Sequence, residues 1–342
     1  MVSSTNFIEK TSMYNKSFFN HLFFIICLSS LFIKCDFSNQ SSDFKNFAIK
    51  DTSNISKFRI SDTEGNEILI SRDNSSRNWM IYGTSFNANQ PSVDLLMETF
   101  YRIRVKQEVP NSALNTVINR LSVRHKKVEI FTTEELPFKT WYIGSPTQDH
   151  TGTYMLLQIG KEKGNKPYVT YKPGMYGTLE VRFFTDWKAW RSPRIFDYKN
   201  PKNIHKISTT FFEIKNESYS INYQNNKVEL YNFQNQKLSN FDTSQVKHYL
   251  THFNTISYNK IIFENQKIID SIFNSSPYIS FELIDNKNLN TKVDFWRIKD
   301  ENTSTGWDVE YGYIRVNDNN ELLRAQYFNW EILFKPLSFF AR

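Results

Sequence analysis

Ser145, Asp149 and His150 stand close together in "GSPTQDHTGTY" (144–154). They are the residue types of a hydrolase: a hydroxyl to attack, an imidazole to take its proton and a carboxylate to orient the imidazole. All three share one short loop, however. A working triad draws its nucleophile, base and orienter from separate elements whose packing holds the geometry. The matching stretch of the second half, "KDENTSTGW" (299–307), has no histidine. The loops therefore read as hairpin-like connections in which Gly152 and Gly306 supply unusual backbone angles. In "HYLTH", His248 and His252 lie four apart and share a helix face, as two zinc ligands would. A zinc protease needs a glutamate after the first histidine; Tyr249 stands there and no third ligand is implied, so the pair reads as a solvated face. A Gly-rich phosphate loop, a Gly-x-Ser-x-Gly elbow and a clustered carboxylate pair are all missing, and "GNKP" (164–167) is a turn. No catalytic, cofactor-binding or metal residue is assigned, and no cofactor is expected.

The elements that would have to position such residues follow from periodicity. "ISKFRI" and "EILISR" alternate apolar and polar around "DTEGN", a hairpin signal, and "NWMIYG" is a third short strand. Val93, Leu96, Met97, Phe100 and Ile103 recur at helical spacing behind Pro91, and a second helix, "NSALNTVINRL", follows Pro110. Strands return with "KKVEIFTT", "KTWYIG", "TYMLLQIG" and "PYVTY". The second half runs likewise, with helices over "DTSQVKHYLTHF" and "ENQKIIDSIFN". Strands, two helices and strands again predict an α+β fold in two tandem related copies, each a mainly antiparallel sheet with its helix pair on one face.

The duplication rests on paired anchors. "WKAWRSPRIF" (187–196) matches "WEILFKPLSF" (330–339), which sets Trp187 on Trp330 and Pro193 on Pro336. "NISK" matches "NIHK", "TWYI" matches "DFWR", and each polar loop closes with Thr-Gly, at Gly152 and Gly306. Both tryptophans are expected to plug a core, and both prolines to end the same local element. The boundaries are residues 1–35 for a signal, lipoprotein-like or anchor segment, 36–45 for a tether, 46–200 for the first copy and 201–340 for the second.

The formal net charge of +7 is spread among acids and asparagines without the clustered stripe that phosphate contacts require, so nucleic acid is not an expected partner. Both cysteines, Cys27 and Cys35, fall in the first 35 residues, which leaves the body without disulfide, thiolate metal site or cysteine nucleophile. "FFNHLFFIICLSSLFIKC" (18–35) is an apolar run entered from Lys10 and Lys16, short for a span and suited to a signal-peptide core. Cys35 directly after it is a lipidation candidate, although Lys34 occupies a place where such signals want a small residue; an uncleaved anchor helix is the alternative. Either way the body is exported and held at a membrane.

The order "FAIKDTSNISK…GNEILISR…NWMIYG…LLMETFYRIRVK…VEIF…YIGSPTQDHTGTYMLL…RFFT…W" resembles the domain of unknown function 4340 family of bacterial envelope proteins, common in Bacteroidetes. The resemblance covers about residues 44–340 and is best in the first half; the asparagine-rich second half is less typical. It implies a membrane-anchored envelope protein, on the periplasmic side, with no assigned catalytic residues and in some relatives a place beside an ABC-type transporter. The expected function is therefore non-enzymatic docking on an envelope partner. A glycan- or peptidoglycan-binding module is the alternative, since seven tryptophans and eighteen tyrosines could present rings to sugar. A hydrolase ranks third.

Overall fold

The computed structural model describes residues 43–73 and 78–341. Cys35 and the apolar run lie outside the described residues. The alternating segments form a hairpin of β1 (Lys57–Asp62) and β2 (Glu67–Arg72). Its turn is tied by the Asp62 carboxylate, which accepts from the backbone N–H of Glu64 and Asn66, and Gly65 takes the left-handed conformation at φ +89°. There follow β3 (Trp79–Ile81), helix α1 (Gln90–Arg102), β4 (Arg104–Glu108), helix α2 (Asn111–Val123), β5 (Lys126–Phe131), β6 (Lys139–Pro146), β7 (Thr153–Ile159), β8 (Glu162–Lys163) and β9 (Tyr168–Tyr171). A short helix, α3 (Trp187–Trp190), and β10 (Arg194–Phe196) lead into the second half. That half comprises β11 (Ile204–Phe211), β12 (Tyr219–Gln224), β13 (Lys227–Asn232), α4 (Thr243–Leu250), β14 (Ile256–Ser257), β15 (Lys260–Ile262), α5 (Gln266–Asn274), β16 (Ile279–Asp285), β17 (Asn290–Lys299), β18 (Trp307–Val316), β19 (Leu322–Gln326) and α6 (Tyr327–Trp330).

The chain is α+β, with two large antiparallel sheets. The first runs β3-β2-β1-β5-β6-β7-β9-β4, with β8 beside β7; the second runs β13-β12-β11-β16-β17-β18-β19-β15. Place by place the two orders agree. In each, a strand from between the two helices closes the far edge, and the Gly152 and Gly306 loops join the strands in fifth and sixth place.

The helices do not pair on one face as expected. Val93, Leu96 and Phe100 of α1 join the first core with Phe58, Trp141 and Trp190, whereas Val117 and Leu121 of α2 form a separate cluster with Val109 and Val169. On β7, Met155 and Leu157 face the first cluster and Tyr154 and Leu156 the second, so strand alternation puts the helices on opposite faces. The second half divides in the same way: α4 buries Val246, Tyr249 and Leu250 with Phe295, while Phe273 of α5 packs 5.6 Å from Trp296, the neighbour of Phe295 on β17. A sheet with two apolar faces needs cover on both.

The repeat anchors also need correction. Trp187 is 36% exposed and stacks on Phe86, while Trp190, three residues on, is fully buried and donates from Nε1 to the Phe184 carbonyl at 2.8 Å. Trp330 is fully buried, as expected, with its Nε1 on the Ser257 carbonyl at 2.9 Å. The two stand at different places, however. The Asn89 N–H before α1 donates to Trp190 O, whereas the Asp242 N–H before α4 donates to Phe340 O and not to Trp330. Trp330 caps the 3-10 turn 331–333 as Leu179 caps 180–182. The tryptophan match is thus out of register. Pro193 lies between α3 and β10, and Pro336 starts the 3-10 turn 337–340, so they do not end one shared element. Gly306 has φ +73°, but Gly152 has no positive φ; it is needed for space, because a Cβ there would lie 2.5 Å from Val169 Cγ1.

The two cores divide between Trp190 and Phe196, slightly before residue 200. Across that division the Arg191 guanidinium bonds both carboxylate oxygens of Glu321 at 2.9 and 2.7 Å.

Candidate functional site

A cleft of about 930 Å³ opens at one end of the first sheet. Three elements meet there: the β1–β2 turn, the last turn of α2 with the start of β5, and the end of β6. Gly144 on β6 permits this meeting, since a Cβ there would lie 2.7 Å from Leu121 Cδ2 of α2. Arg120 lies in the last turn of α2 and Arg124 is the extended residue that ends it; both line the cleft, at the helix end where the dipole favours cations. Neither guanidinium makes a hydrogen bond or ion pair with the described residues. Beside them, Lys126 is half-buried and donates to the Glu180 carbonyl at 3.1 Å; burial pushes its ammonium pKa down, against the pull of Glu180 and Asp62. Burial also lowers His125, whose Nδ1 is 2.8 Å from the Leu121 carbonyl.

The acids of the cleft are held differently. Burial works against the Asp62 charge, yet the hydrogen bonds from Asn66, Thr185 and Glu64 leave its carboxyl below the usual range. Glu180 accepts from Thr178 Oγ1 at 2.7 Å and Thr153 Oγ1 at 3.4 Å. These two carboxylates are held by hydrogen bonds, whereas the Arg120 and Arg124 guanidiniums are not. Exposed Val123 and partly buried Pro146 add an apolar wall.

Of the hydrolase-like residues, Ser145 lines this cleft and the other two do not. Asp149 is turned onto its own loop. It accepts from Thr147 Oγ1 and Thr151 Oγ1, each at 2.6 Å, and from the Thr151 N–H, which hold its carboxyl far below the usual range. His150 is exposed at φ +54°. The three residues do not form a proton relay. His248 and His252 do meet, edge to face with centroids 4.9 Å apart, and His252 is pushed down first by burial and then by His248 and Lys335. Among the described residues no group of three His, Cys, Asp or Glu side chains could hold a metal. Tyr249 between them is fully buried and donates to the Leu333 carbonyl.

Sequence reading weighed Ser145 and assigned it no role, and it missed Arg120 and Arg124. A signal was present in "NRLSVRHKK" (119–127), the basic run on either side of the helix end. No known family, no characterised protein and no solved structure matches the chain.

Proposed function

We propose that this is a membrane-tethered protein of the bacterial cell envelope that works by docking on a partner rather than by catalysis. Its N-terminal 35 residues are the attachment, and its body is a tandem duplication of one α+β unit. The observation that carries the docking reading is the cleft beside α2. Two uncommitted guanidiniums next to an apolar wall form the kind of anchor that protein interfaces use, because Arg pairs with a carboxylate while its stem covers apolar surface. The agreement of the two strand orders supports duplication. The resemblance to the domain of unknown function 4340 family supports the envelope placement and a partner such as a transporter subunit.

The tether is tested by Cys35→Ser. The variant is expected to leave the membrane fraction and lose acyl label; unchanged fractionation without label in the parent chain moves the attachment to the apolar run itself. Docking is tested by cross-linking in native membranes. Arg120→Ala/Arg124→Ala should lose the main cross-linked partner of the parent chain, and an identical cross-link pattern sinks the cleft as the docking surface. For the duplication, residues 46–191 superposed on 192–341 should pair all eight strands in order, with Trp190 on Phe340.

A further inference from the structure

We infer that the second half carries a binding site for a neutral oligosaccharide, at the end of its sheet where the β12–β13 and β16–β17 hairpin tips meet the start of β11. A recess of about 580 Å³ lies there, inside the roughly 300–1,000 Å³ range of ligand sites. Its polar lining, besides Asn226, consists of the amides of Gln224, Asn225, Asn286 and Asn288, the His205 imidazole and the Lys202 ammonium. None of these six side chains makes a hydrogen bond with the described residues. The floor is Ile204 and the ring of Tyr223, whose hydroxyl donates to Asn226 Oδ1 at 2.9 Å and holds the ring in place. The lining contains no carboxylate and no arginine.

Turn geometry accounts for part of this asparagine content. Asn225, Asn226 and Asn288 have φ of +50°, +63° and +61°, a conformation that asparagine tolerates better than most residues. It does not account for Gln224 or Asn286, which have no positive φ, nor for amide heads that gather around one recess uncommitted. Each primary amide offers two donors and a two-lone-pair acceptor in one plane. Neighbouring hydroxyls of a pyranose each donate and accept, so an amide can satisfy two of them at once. A charged ligand would find only Lys202 as a counter-ion, whereas Ile204 and Tyr223 give the C–H face of a sugar ring an apolar seat. The site is separate from the cleft and does not depend on the tether.

Glycine separates the two roles of these asparagines, since it adopts the left-handed turn without strain and has no amide. The full chain is titrated calorimetrically with neutral tetrasaccharides of gluco-, galacto-, manno- and N-acetylglucosamine type. At least one should bind. Asn225→Gly/Asn288→Gly should weaken that binding by about tenfold or more at an unchanged melting temperature, as loss of several net hydrogen bonds requires. Gln224→Ala/Asn286→Ala, which touches no positive-φ position, should do the same and serves as the readout if the glycine variant is destabilised. A control away from the recess, Gln266→Ala on α5, should bind like the parent. Absence of binding to all four sugars overturns the inference, as does undiminished binding by the folded variants.

Discussion

Lys139 enters the first core almost completely, and its Nζ donates to the carbonyls of Asn46 and Ala48 at 2.6 and 2.7 Å. Burial lowers its pKa from 10.5 to about 8. Between those values the unfolded chain keeps a proton that the folded chain has released, so this residue makes stability rise with pH across that window. Above about pH 10 the tyrosines act in the opposite sense, because burial holds Tyr198 and Tyr327 up to about 12 while their unfolded counterparts ionise. Chemical denaturation from pH 7 to 11 should therefore show the gap between the parent and Lys139→Met changing between pH 8 and 10; parallel curves would contradict it. Trp190→Ala should cost about 3–5 kcal/mol, as loss of a large core ring does. Trp187→Ala, at a partly exposed ring, should cost less than about 1 kcal/mol. Urea melts of the two variants decide between them, and equal losses would restore Trp187 to the core. The sequence offered both rings three residues apart, but α3 is a single turn, too short for periodicity to show which ring turns inward.

Helix α4 begins at Asp242, whose carboxylate accepts from the backbone N–H of Ser244 and Gln245 at 2.9 and 3.1 Å. Asp242→Ala should destabilise the second half by about 1 kcal/mol through loss of this cap, read as a lower urea midpoint at unchanged slope. Asn89, at the start of α1, makes no side-chain cap bond, so Asn89→Ala should cost less. Most strands and helices were legible because alternation and 3.6-residue spacing are local properties, but the short strands β4, β10, β14 and β15 were not. The side of the sheet each helix covers was not. Val117 and Leu121 show that α2 has an apolar stripe, but only the alternation of β7 decides which sheet face receives it. The cleft was hidden for a related reason: residues 62–64, 120–126, 143–146 and 180 converge only when the sheet order is known. Ser145 was visible as a residue of interest, whereas its neighbours in space were not.

The halves meet through few groups. Arg191, 8% exposed, reaches Glu321 across the division while its guanidinium lies 3.8 Å from the Phe86 ring centroid and 5.5 Å from that of Tyr258. A double-mutant cycle on Arg191→Ala and Glu321→Ala should give a coupling of about 0.5–3 kcal/mol, as for a partly buried, hydrogen-bonded pair. Calorimetry should show the melting of the two halves drawing apart in Arg191→Ala; a single unaltered transition would mean that other contacts across the division, such as Lys188 over the Phe263 ring, suffice to join them. The backbone closures set a timetable for the growing chain. The first half has its last core ring and its bond from Asn89 once residue 190 is made, but the second cannot seat Phe340, or satisfy the Asp242 N–H, until residue 340 follows. At ordinary synthesis rates of about 5–20 residues per second, those roughly 150 residues keep the second sheet open for about eight to thirty seconds beside a finished neighbour. During that interval its aromatic core is the surface most exposed to aggregation and proteolysis, which gives a chaperone its longest opportunity on this chain.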